Sequence, residues 1–287
     1  MRPVLAAAGH PSRSDAAKPY LIIRGTALAV GRSHPILRLA TMRGDTLTMQ
    51  SILILGSGPS VVQAQSWPRA GFDHILAINN AWQVRPDWDA LIHPWDFPED
   101  RRPLPGPNQR LVTQDDFVPA QNALGGFVYA GGTMAFTAGY YALHTHRPRV
   151  IAMLGCDMHY AKKGPTHFYG TGTADPLRND ISLQSLEAKS ARLMVLAAMQ
   201  GCAMVNLSTG PSRLLFPRVT RTSMHHAAPQ FYCPDLAAEA LASEADLGYY
   251  VPSGRYWEQH GRFDAGKLAK LDGLWYAAAT QPLRQSA

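Results

Sequence analysis

The sequence predicts an α/β protein whose core is an open parallel sheet with helices on both faces. Short apolar runs of strand length alternate along the chain with runs of helical periodicity, and glycines or polar residues follow the apolar runs. This alternation favours a Rossmann-like sheet, because each crossover between parallel strands places a helix on one face. After residue 217 the composition changes to a mixed Pro, aromatic and polar segment with short Ala-rich runs, which predicts a small C-terminal helical extension or lid over residues 218–287.

The individual elements follow from the same patterns. Apolar runs bounded by polar or glycine-rich turns predict strands, and these runs are 51–55, 74–78, 89–93, 110–113, 150–154 and 202–206. The run Met134–His146 predicts a helix, and a further helix follows Asn179 or Asp180, either of which can cap it. Pro59 stands at the first position of a helix after the first strand, where its fixed φ and missing N–H are tolerated.

The positive charge of the chain is concentrated in its first 48 residues. The formal net charge is +6, and residues 1–48 hold seven basic and two acidic residues, which leaves 20 basic and 19 acidic residues in the body. A nearly neutral body has no electrostatic footprint for a polyanion, so no nucleic-acid partner is expected. The Arg-rich leader resembles a targeting peptide, but an upstream extension before a start at Met49 or Met42 is the favoured interpretation. Residues 1–48 are therefore left out of the predicted fold.

Cysteine usage and hydropathy indicate the compartment. Cys156, Cys202 and Cys233 are widely spaced and form no C-x-x-C pair, which predicts free thiols in a reducing environment, the cytoplasm. No apolar stretch approaches the ~20 residues that span a bilayer, so no transmembrane segment is expected. The pair His225-His226 has no further ligand at helical spacing, so a metal site is not predicted there.

The turn Gly56–Ser60 has the composition of a phosphate-binding turn. It follows a predicted strand and opens a predicted helix, so free backbone N–H groups and the positive end of the helix dipole would face an anion. A dinucleotide site requires a third small residue here and an acidic residue at the tip of the second strand. Val61 stands at the first of these positions, and Asn79 and Asn80 at the second. These residues predict a mononucleotide site in an α/β domain that spans residues 49–217.

The strand ends carry the residues from which a site could be built. Ligands of open α/β sheets bind beyond the carboxyl ends of the strands. We therefore expect the polar strand tips to converge on one crevice, and these tips are 56–60, 79–80, 93–96, 131–133, 155–160 and 206–208.

Five motifs, taken in their order and spacing, resemble those of the bacterial sialyltransferases of glycosyltransferase family 42. The resemblance runs from about Ile52 to Leu215. Its motifs are Gly56-Ser-Gly-Pro-Ser60 where the family has Gly-Asn-Gly-Pro-Ser, Asn79 after the second strand, Gly131-Gly132 before the central helix, Gly155-Cys-Asp-Met-His-Tyr160, and Thr166-His-Phe-Tyr169. The resemblance implies inverting transfer of a sugar, in the family sialic acid, from a nucleotide donor such as a CMP-linked one to the hydroxyl of a glycan acceptor, without a metal or other cofactor.

The resemblance also implies roles for single residues. His167 would take the proton of the attacking hydroxyl, because imidazole has a pKa near neutrality. Tyr160 and Tyr169 would donate hydrogen bonds to the departing phosphate. Contacts to the donor nucleotide are implied for Gly56, Ser57, Gly58, Pro59, Ser60, Asn79, Asn80, Gly132, Thr133 and Asp157. His167 also fits an ordinary solvent-exposed loop histidine, and Asp157 a turn or helix-capping residue.

Two departures from the family keep other functions open. Ser57 replaces the Asn of the first motif, and Val128-Tyr129-Ala130 stands where the family has a basic residue before the central helix. More distantly, the sequence resembles motility-accessory-factor-like and pterin pyrophosphokinase-like proteins, which implies a different donor sugar or a pyrophosphoryl transfer. A non-catalytic protein that binds a nucleotide or sugar is the remaining alternative. The aromatic Trp257, Trp275 and Tyr276 are predicted to pack the extension onto the core.

Overall fold

The computed structural model describes residues 51–281. The predicted leader, residues 1–48, lies outside this range. Six strands form one sheet, and they are β1 (Ser51–Leu55), β2 (His74–Ile78), β3 (Ala90–Ile92), β4 (Arg110–Val112), β5 (Val150–Leu154) and β6 (Ala203–Asn206). All neighbours are parallel, in the order β4-β3-β2-β1-β5-β6. The predicted open, Rossmann-like sheet is confirmed.

Six α-helices accompany the sheet in the described residues, and they are α1 (Gln114–Asn122), α2 (Phe127–Ala130), α3 (Met134–His146), α4 (Leu186–Met199), α5 (Pro234–Leu247) and α6 (Ala265–Thr280). The predicted helix Met134–His146 is therefore confirmed as α3. The helix expected after Asp180 begins later, because Asp180 caps only the single turn Ile181–Leu183 and Ser185 caps α4 through the N–H of Ala188. The helix expected at Pro59 is a 3₁₀ helix, Pro59–Ser66, whose buried Val61 and Ala64 show the three-residue period of that helix.

Each face of the sheet has its own hydrophobic core. Along β1, Ile52 and Ile54 pack with α1 to α6, whereas Leu53 and Leu55 pack with the 3₁₀ segments Pro59–Ser66 and Asn79–Val84 and with Met224. Every residue of β1 is buried because both faces are covered, as is usual for a parallel sheet. The helices predicted on both faces are present, with α-helices on one face and 3₁₀ helices on the other.

The C-terminal helices continue the core of the α-helical layer. Trp275 of α6 is 1% exposed and donates a hydrogen bond from Nε1 to Glu244 Oε1 of α5, 2.7 Å away. Glu244 in turn forms an ion pair with Arg192 of α4, with 2.6 Å between Arg192 Nε and Glu244 Oε1. The predicted packing role of Trp275 is confirmed, whereas Trp257 and Tyr276 are nearly half exposed. The extension is thus fixed to α4 through buried side chains.

Candidate functional site

A crevice of about 990 Å³ opens beyond the carboxyl ends of β1, β2 and β5. From β1 the chain proceeds outward through β2, β3 and β4, and it then returns to place β5 and β6 on the other side of β1. The gap between β1 and β5 is therefore a topological switch point, where ligands of open α/β sheets bind. The described residues that line the crevice all lie between Gly56 and Pro211. Of the residues given a catalytic or nucleotide-binding role from the sequence, Gly132 alone does not line it. The expected convergence of the strand tips is only partial, because 93–96 and 131–133 reach the crevice through Pro94, Asp96 and Thr133, and 206–208 does not line it.

The glycines of the β1 turn serve contact with β5. Gly56 N–H donates to Leu154 O at 2.8 Å, and Gly58 N–H donates to Gly155 O at the same distance. A Cβ on Gly58 would stand 2.8 Å from Gly155 O, and one on Gly56 would meet the same carbonyl. The expectation of several free N–H groups in this turn is therefore wrong, because two of them bind the neighbouring strand end. Ser57 N–H makes no hydrogen bond within residues 51–281 and remains a donor for a ligand.

Asn79 ends β2 in an unusual backbone conformation. Its φ is +50°, in the left-handed region, which Asn tolerates better than most other residues. Its side-chain Oδ1 is buried and has no hydrogen-bond partner among the described residues, although the residue lines the crevice. A buried acceptor without a partner is uncommon and costly. This oxygen is therefore a candidate acceptor for a ligand N–H or O–H, and the nucleotide contact implied for Asn79 stays a prediction. Its neighbour Asn80 also lines the crevice and is 8% exposed.

The loop after β5 is attached to the β1 turn. Phe168 N–H donates to Ser57 O at 3.0 Å, and His167 and Gly170 pair in a short bridge through two backbone hydrogen bonds of 2.9 and 3.1 Å. Gly170 has a φ of +124°, which closes the tight turn of this bridge. The residue before the turn, His167, is therefore held next to Ser57, at the wall of the crevice.

His167 is enclosed on one edge and open on the other. The residue is only 6% exposed, and its ring stacks on Tyr169 with 5.0 Å between centroids. Its Nδ1 lies 2.9 Å from Thr166 Oγ1, whereas Nε2 makes no hydrogen bond to any described residue. Removal from water lowers the pKa of His167 below its usual value, so the ring is neutral at pH 7. The reading of His167 as an exposed loop residue is not supported, because the side chain is buried.

The two tyrosines differ in their surroundings. Tyr160 lies 5.9 Å from the His167 ring between centroids, and burial raises its pKa to about 12. It therefore keeps its proton and can donate a hydrogen bond. Tyr169 stacks on the imidazole and is 46% exposed. Both line the crevice.

Asp157 and Ser60 belong to a polar network at the ends of β5 and β6. Asn206 Nδ2 donates to Asp157 Oδ1 at 3.0 Å, and Ser60 Oγ lies 3.2 Å from Ser208 Oγ. Ser60 Oγ is also 3.5 Å from the second carboxylate oxygen of Asp157. Asp157 thus connects three strand ends, a structural role different from the turn or helix-capping role considered for it. The residue also lines the crevice.

Gly132 and Thr133 precede α3, and only Thr133 contributes to the crevice. Gly132 N–H donates to Ser182 Oγ at 2.9 Å, and its carbonyl accepts from Arg178 at 2.8 Å. A Cβ on Gly132 would meet the hydroxyl of Tyr256. Gly132 therefore permits the approach of the C-terminal segment, and the structure does not bring it into the crevice.

Two charged residues that line the crevice, Arg101 and Asp175, were not predicted, and Asp175 is paired with Arg178. Arg101 is the single Arg or Lys among the described residues that line the crevice. Its backbone carbonyl accepts a hydrogen bond from Trp82 Nε1 at 3.0 Å, and its guanidinium forms no ion pair within residues 51–281. The sequence around it is Pro-rich and charged, which is typical of a surface loop and gives no signal that the loop returns to the strand ends.

Cys156 also lines the crevice, but it is unsuited to act as a nucleophile. It is 4% exposed, and burial raises the pKa of its thiol. All three cysteines are free. Within residues 51–281, no group of three or more His, Cys, Asp or Glu side chains is placed to hold a metal ion. None of the described helices is both long and apolar enough to cross a membrane.

The fold and the crevice define an α/β protein with a Rossmann-like sheet and a polar site at its switch point. Comparison of the chain with protein-family models, curated proteins and solved structures finds no match. The resemblance to the sialyltransferases therefore depends on the five short motifs, and the function has to be inferred from the site itself.

Proposed function

We propose that the crevice binds a nucleotide-activated sugar and that the protein transfers this sugar to an acceptor hydroxyl. The observation that carries the proposal is the position of His167, whose unpartnered Nε2 stands at the crevice wall beside the β1 turn. A neutral imidazole in this position can accept a proton from a bound hydroxyl. The CMP-linked donor and sialic acid are the specific form of the proposal that the motifs favour.

In the proposed reaction the acceptor oxygen attacks the anomeric carbon of the donor sugar. The bond from that carbon to the nucleotide phosphate breaks, and the phosphate leaves with the bonding electrons. His167 Nε2 takes the proton of the acceptor hydroxyl as the new bond forms. Tyr160, which keeps its proton because of its raised pKa, is suited to donate a hydrogen bond to the departing phosphate oxygen.

The nucleotide half of the donor has its own set of polar groups. Asn79 Oδ1 offers an acceptor for a ribose hydroxyl or a base amino group, and Ser57 N–H offers a donor for a phosphate oxygen. Arg101 adds the positive charge that a phosphate attracts. No acidic residue follows β2, which agrees with a mononucleotide.

A protein that binds the nucleotide without catalysis is the second candidate, and one observation favours it. Where the sialyltransferases have a basic residue before the central helix, this chain has Tyr129 in α2. Its hydroxyl donates a hydrogen bond to Glu244 O and accepts one from Tyr249 N–H, both at 2.8 Å. This segment is committed to the hydrophobic core. The pyrophosphoryl-transfer alternative gains no comparable observation.

The proposal is tested by donor turnover and by His167→Ala. Thermal-shift measurements should show stabilisation by CMP or CDP, and a screen of nucleotide-sugars should show release of the nucleotide. The variant should lower turnover ~10²- to 10⁴-fold, the usual effect of losing a positioned base, with little change in nucleotide affinity. In the unchanged protein the rate should fall only at acidic pH, below the ordinary histidine pKa, because the pKa of His167 is lowered.

The exposed His226, in the 3₁₀ segment Met224–His226, provides the matched control. His226→Ala should leave turnover unchanged. Stabilisation by NAD or FAD and by no mononucleotide would contradict the binding half of the proposal. Nucleotide binding without turnover of any donor would favour the non-catalytic candidate, and undiminished transfer by His167→Ala would remove the assigned base.

A further inference from the structure

We propose that Thr166 is a positioning residue that holds His167 in one tautomer, with hydrogen on Nδ1 and the lone pair of Nε2 directed to the crevice. This inference rests on the proposed function for its catalytic meaning, but its structural content can be measured without any substrate. The tautomer assignment follows from the number of hydrogen bonds that the single hydroxyl of Thr166 can make.

Three groups surround Thr166 Oγ1. Gly172 N–H donates to it at 2.9 Å, His167 Nδ1 lies 2.9 Å away, and Gly172 O lies 3.2 Å away, within reach as an acceptor for the hydroxyl proton. A hydroxyl has one proton to donate and two lone pairs that accept. Gly172 N–H already occupies one of the two lone pairs.

The remaining proton and lone pair can be assigned in two ways. If Nδ1 carries hydrogen, it donates to the second lone pair, and the hydroxyl proton goes to Gly172 O, so all three neighbours are satisfied. If Nδ1 carries none, the hydroxyl proton must choose between Nδ1 and Gly172 O, and one hydrogen bond is lost. A partly buried network favours the arrangement in which every member is paired. The geometry therefore assigns the hydrogen to Nδ1.

Gly172 also keeps the ring in place. A Cβ on Gly172 would stand 2.7 Å from Nδ1 and 2.8 Å from Cε1 of His167, so the backbone of Gly172 lies directly against this edge of the ring. Tyr169 stacks on the imidazole face. A flip of the ring would exchange Nδ1 for a carbon and lose the bond to Thr166. The Nε2 edge is the one left for the crevice.

This arrangement suits a base in both of its protonation states. Before proton transfer, Nε2 has a free lone pair, whereas the other tautomer would present an N–H and could not accept. After transfer, the imidazolium still donates from Nδ1 to Thr166, and a charged donor strengthens that bond. Thr166 acts through His167 and is not required to touch the sugar.

The tautomer can be measured in the unchanged full-length protein by long-range ¹H–¹⁵N correlation NMR. The His167 signals are identified by their absence in His167→Gln. Above the pKa of His167, we expect the spectrum to show a protonated Nδ1 and an unprotonated Nε2. A predominant Nε2–H tautomer would overturn the proposal, whether or not the protein turns over any donor.

Variants of Thr166 test the cause. Thr166→Val keeps the shape and removes the hydroxyl, and we expect it to shift the His167 tautomer toward Nε2–H. Turnover should fall about 2- to 10-fold, the range for one lost hydrogen bond, with KM for the donor unchanged. Thr166→Ser should restore both the tautomer and the rate. If Thr166→Val folds with an unchanged tautomer, Thr166 is not the positioning residue. If the tautomer shifts and the rate does not change, His167 is not the base of the transfer, and the tautomer assignment stands. If the unchanged protein turns over no donor, the proposed transfer function is at fault, and the NMR result still decides the tautomer.

Discussion

The role of single residues is clearest at Arg101, which offers a permanent positive charge in the crevice. Arg101→Gln should weaken CDP binding roughly 2- to 5-fold, because an exposed charge is partly screened by water. It should leave the binding of cytidine, which has no phosphate, unchanged. Added salt should weaken CDP binding to the unchanged protein more than to the variant. Isothermal titration at two salt concentrations measures all three effects.

The control for Arg101 removes a charge at the amino ends of the strands, the end opposite the crevice. Arg149 is exposed and precedes the amino end of β5, away from the crevice. Arg149→Gln makes the same change in net charge and should leave CDP affinity unchanged. Equal weakening by both variants would mean that the effect is one of overall charge, and no weakening by Arg101→Gln would exclude Arg101 from the phosphate site.

At the residue scale, the sequence predicted which residues gather but not what each one contacts. Gly58 was expected to contact the donor nucleotide, and it lines the crevice, but its missing side chain leaves room for Gly155 O. A glycine that lets the backbone approach a ligand and one that lets it approach a neighbouring strand look alike in a sequence, because both positions exclude a side chain. Asn79 was recognised by its place at a strand end. Its orphaned Oδ1 could not be anticipated, since hydrogen-bond satisfaction depends on the whole surrounding structure.

At the scale of elements, two buried histidines at the junction of β2 and α3 lead us to expect that acid destabilises the fold. His74 begins β2 and His146 ends α3, and their rings lie 4.7 Å apart. Burial lowers the pKa of both, that of His146 to about 4, and the nearby charge of Arg110 lowers both further, while Asp89, 3.7 Å from His74, opposes the shift. Both Nε2 atoms are buried and have no partner in the described structure.

Because both histidines are neutral when folded and take up protons when unfolded, acid favours unfolding. The stability that the neutral rings contribute is present above the usual histidine pKa of 6.5 and should be lost as pH falls toward about 4. Melting temperatures measured across this window should fall less steeply for His146→Gln than for the unchanged protein. His226→Gln, on the surface, is the control and should reproduce the unchanged slope. Equal slopes for all three proteins would contradict the assignment.

The elements themselves were largely predictable, and the exceptions have physical causes. The strands and α3 follow from apolar runs that are buried on both faces or along a helix. The 3₁₀ character of Pro59–Ser66 was not predicted, because a three-residue period over so few residues differs little from a helical one. The attachment of the 157–180 loop to Ser57 depends on one backbone hydrogen bond between distant segments, for which the side chains give no signal.

At the scale of the whole molecule, buried ion pairs hold the C-terminal helices to α4. Lys189 Nζ lies 2.7 Å from Asp272 Oδ1, with 1% and 5% of the side chains exposed. Lys189→Met should lower the free energy of unfolding by about 3–5 kcal/mol, because it leaves an uncompensated carboxylate in the core. Burial removes the Asp272 carboxylate from water and raises its pKa above the usual value.

The double variant Lys189→Met/Asp272→Leu removes the pair together and should recover most of that loss, since a buried pair replaced by apolar residues is often neutral in stability. Urea unfolding of the three proteins measures the comparison. If the double variant is as unstable as the single one, packing of the Lys189 stem and not charge compensation holds α6 in place. The C-terminal extension was predicted from composition, but this pairing was not, because Lys and Asp at distant positions read as surface residues.

The division between the crevice and its support has a consequence for natural variation. The described crevice wall lies within 56–211, while the later helices brace α4 from behind through Glu244, Asp272 and Trp275. Substitutions in the bracing helices should change how much folded protein persists in the cell and leave its selectivity alone. Substitutions in the wall should change which molecule is chosen. Inherited substitutions that change the amount of folded protein would therefore map to the C-terminal helices, and those that change ligand preference would map to the crevice wall.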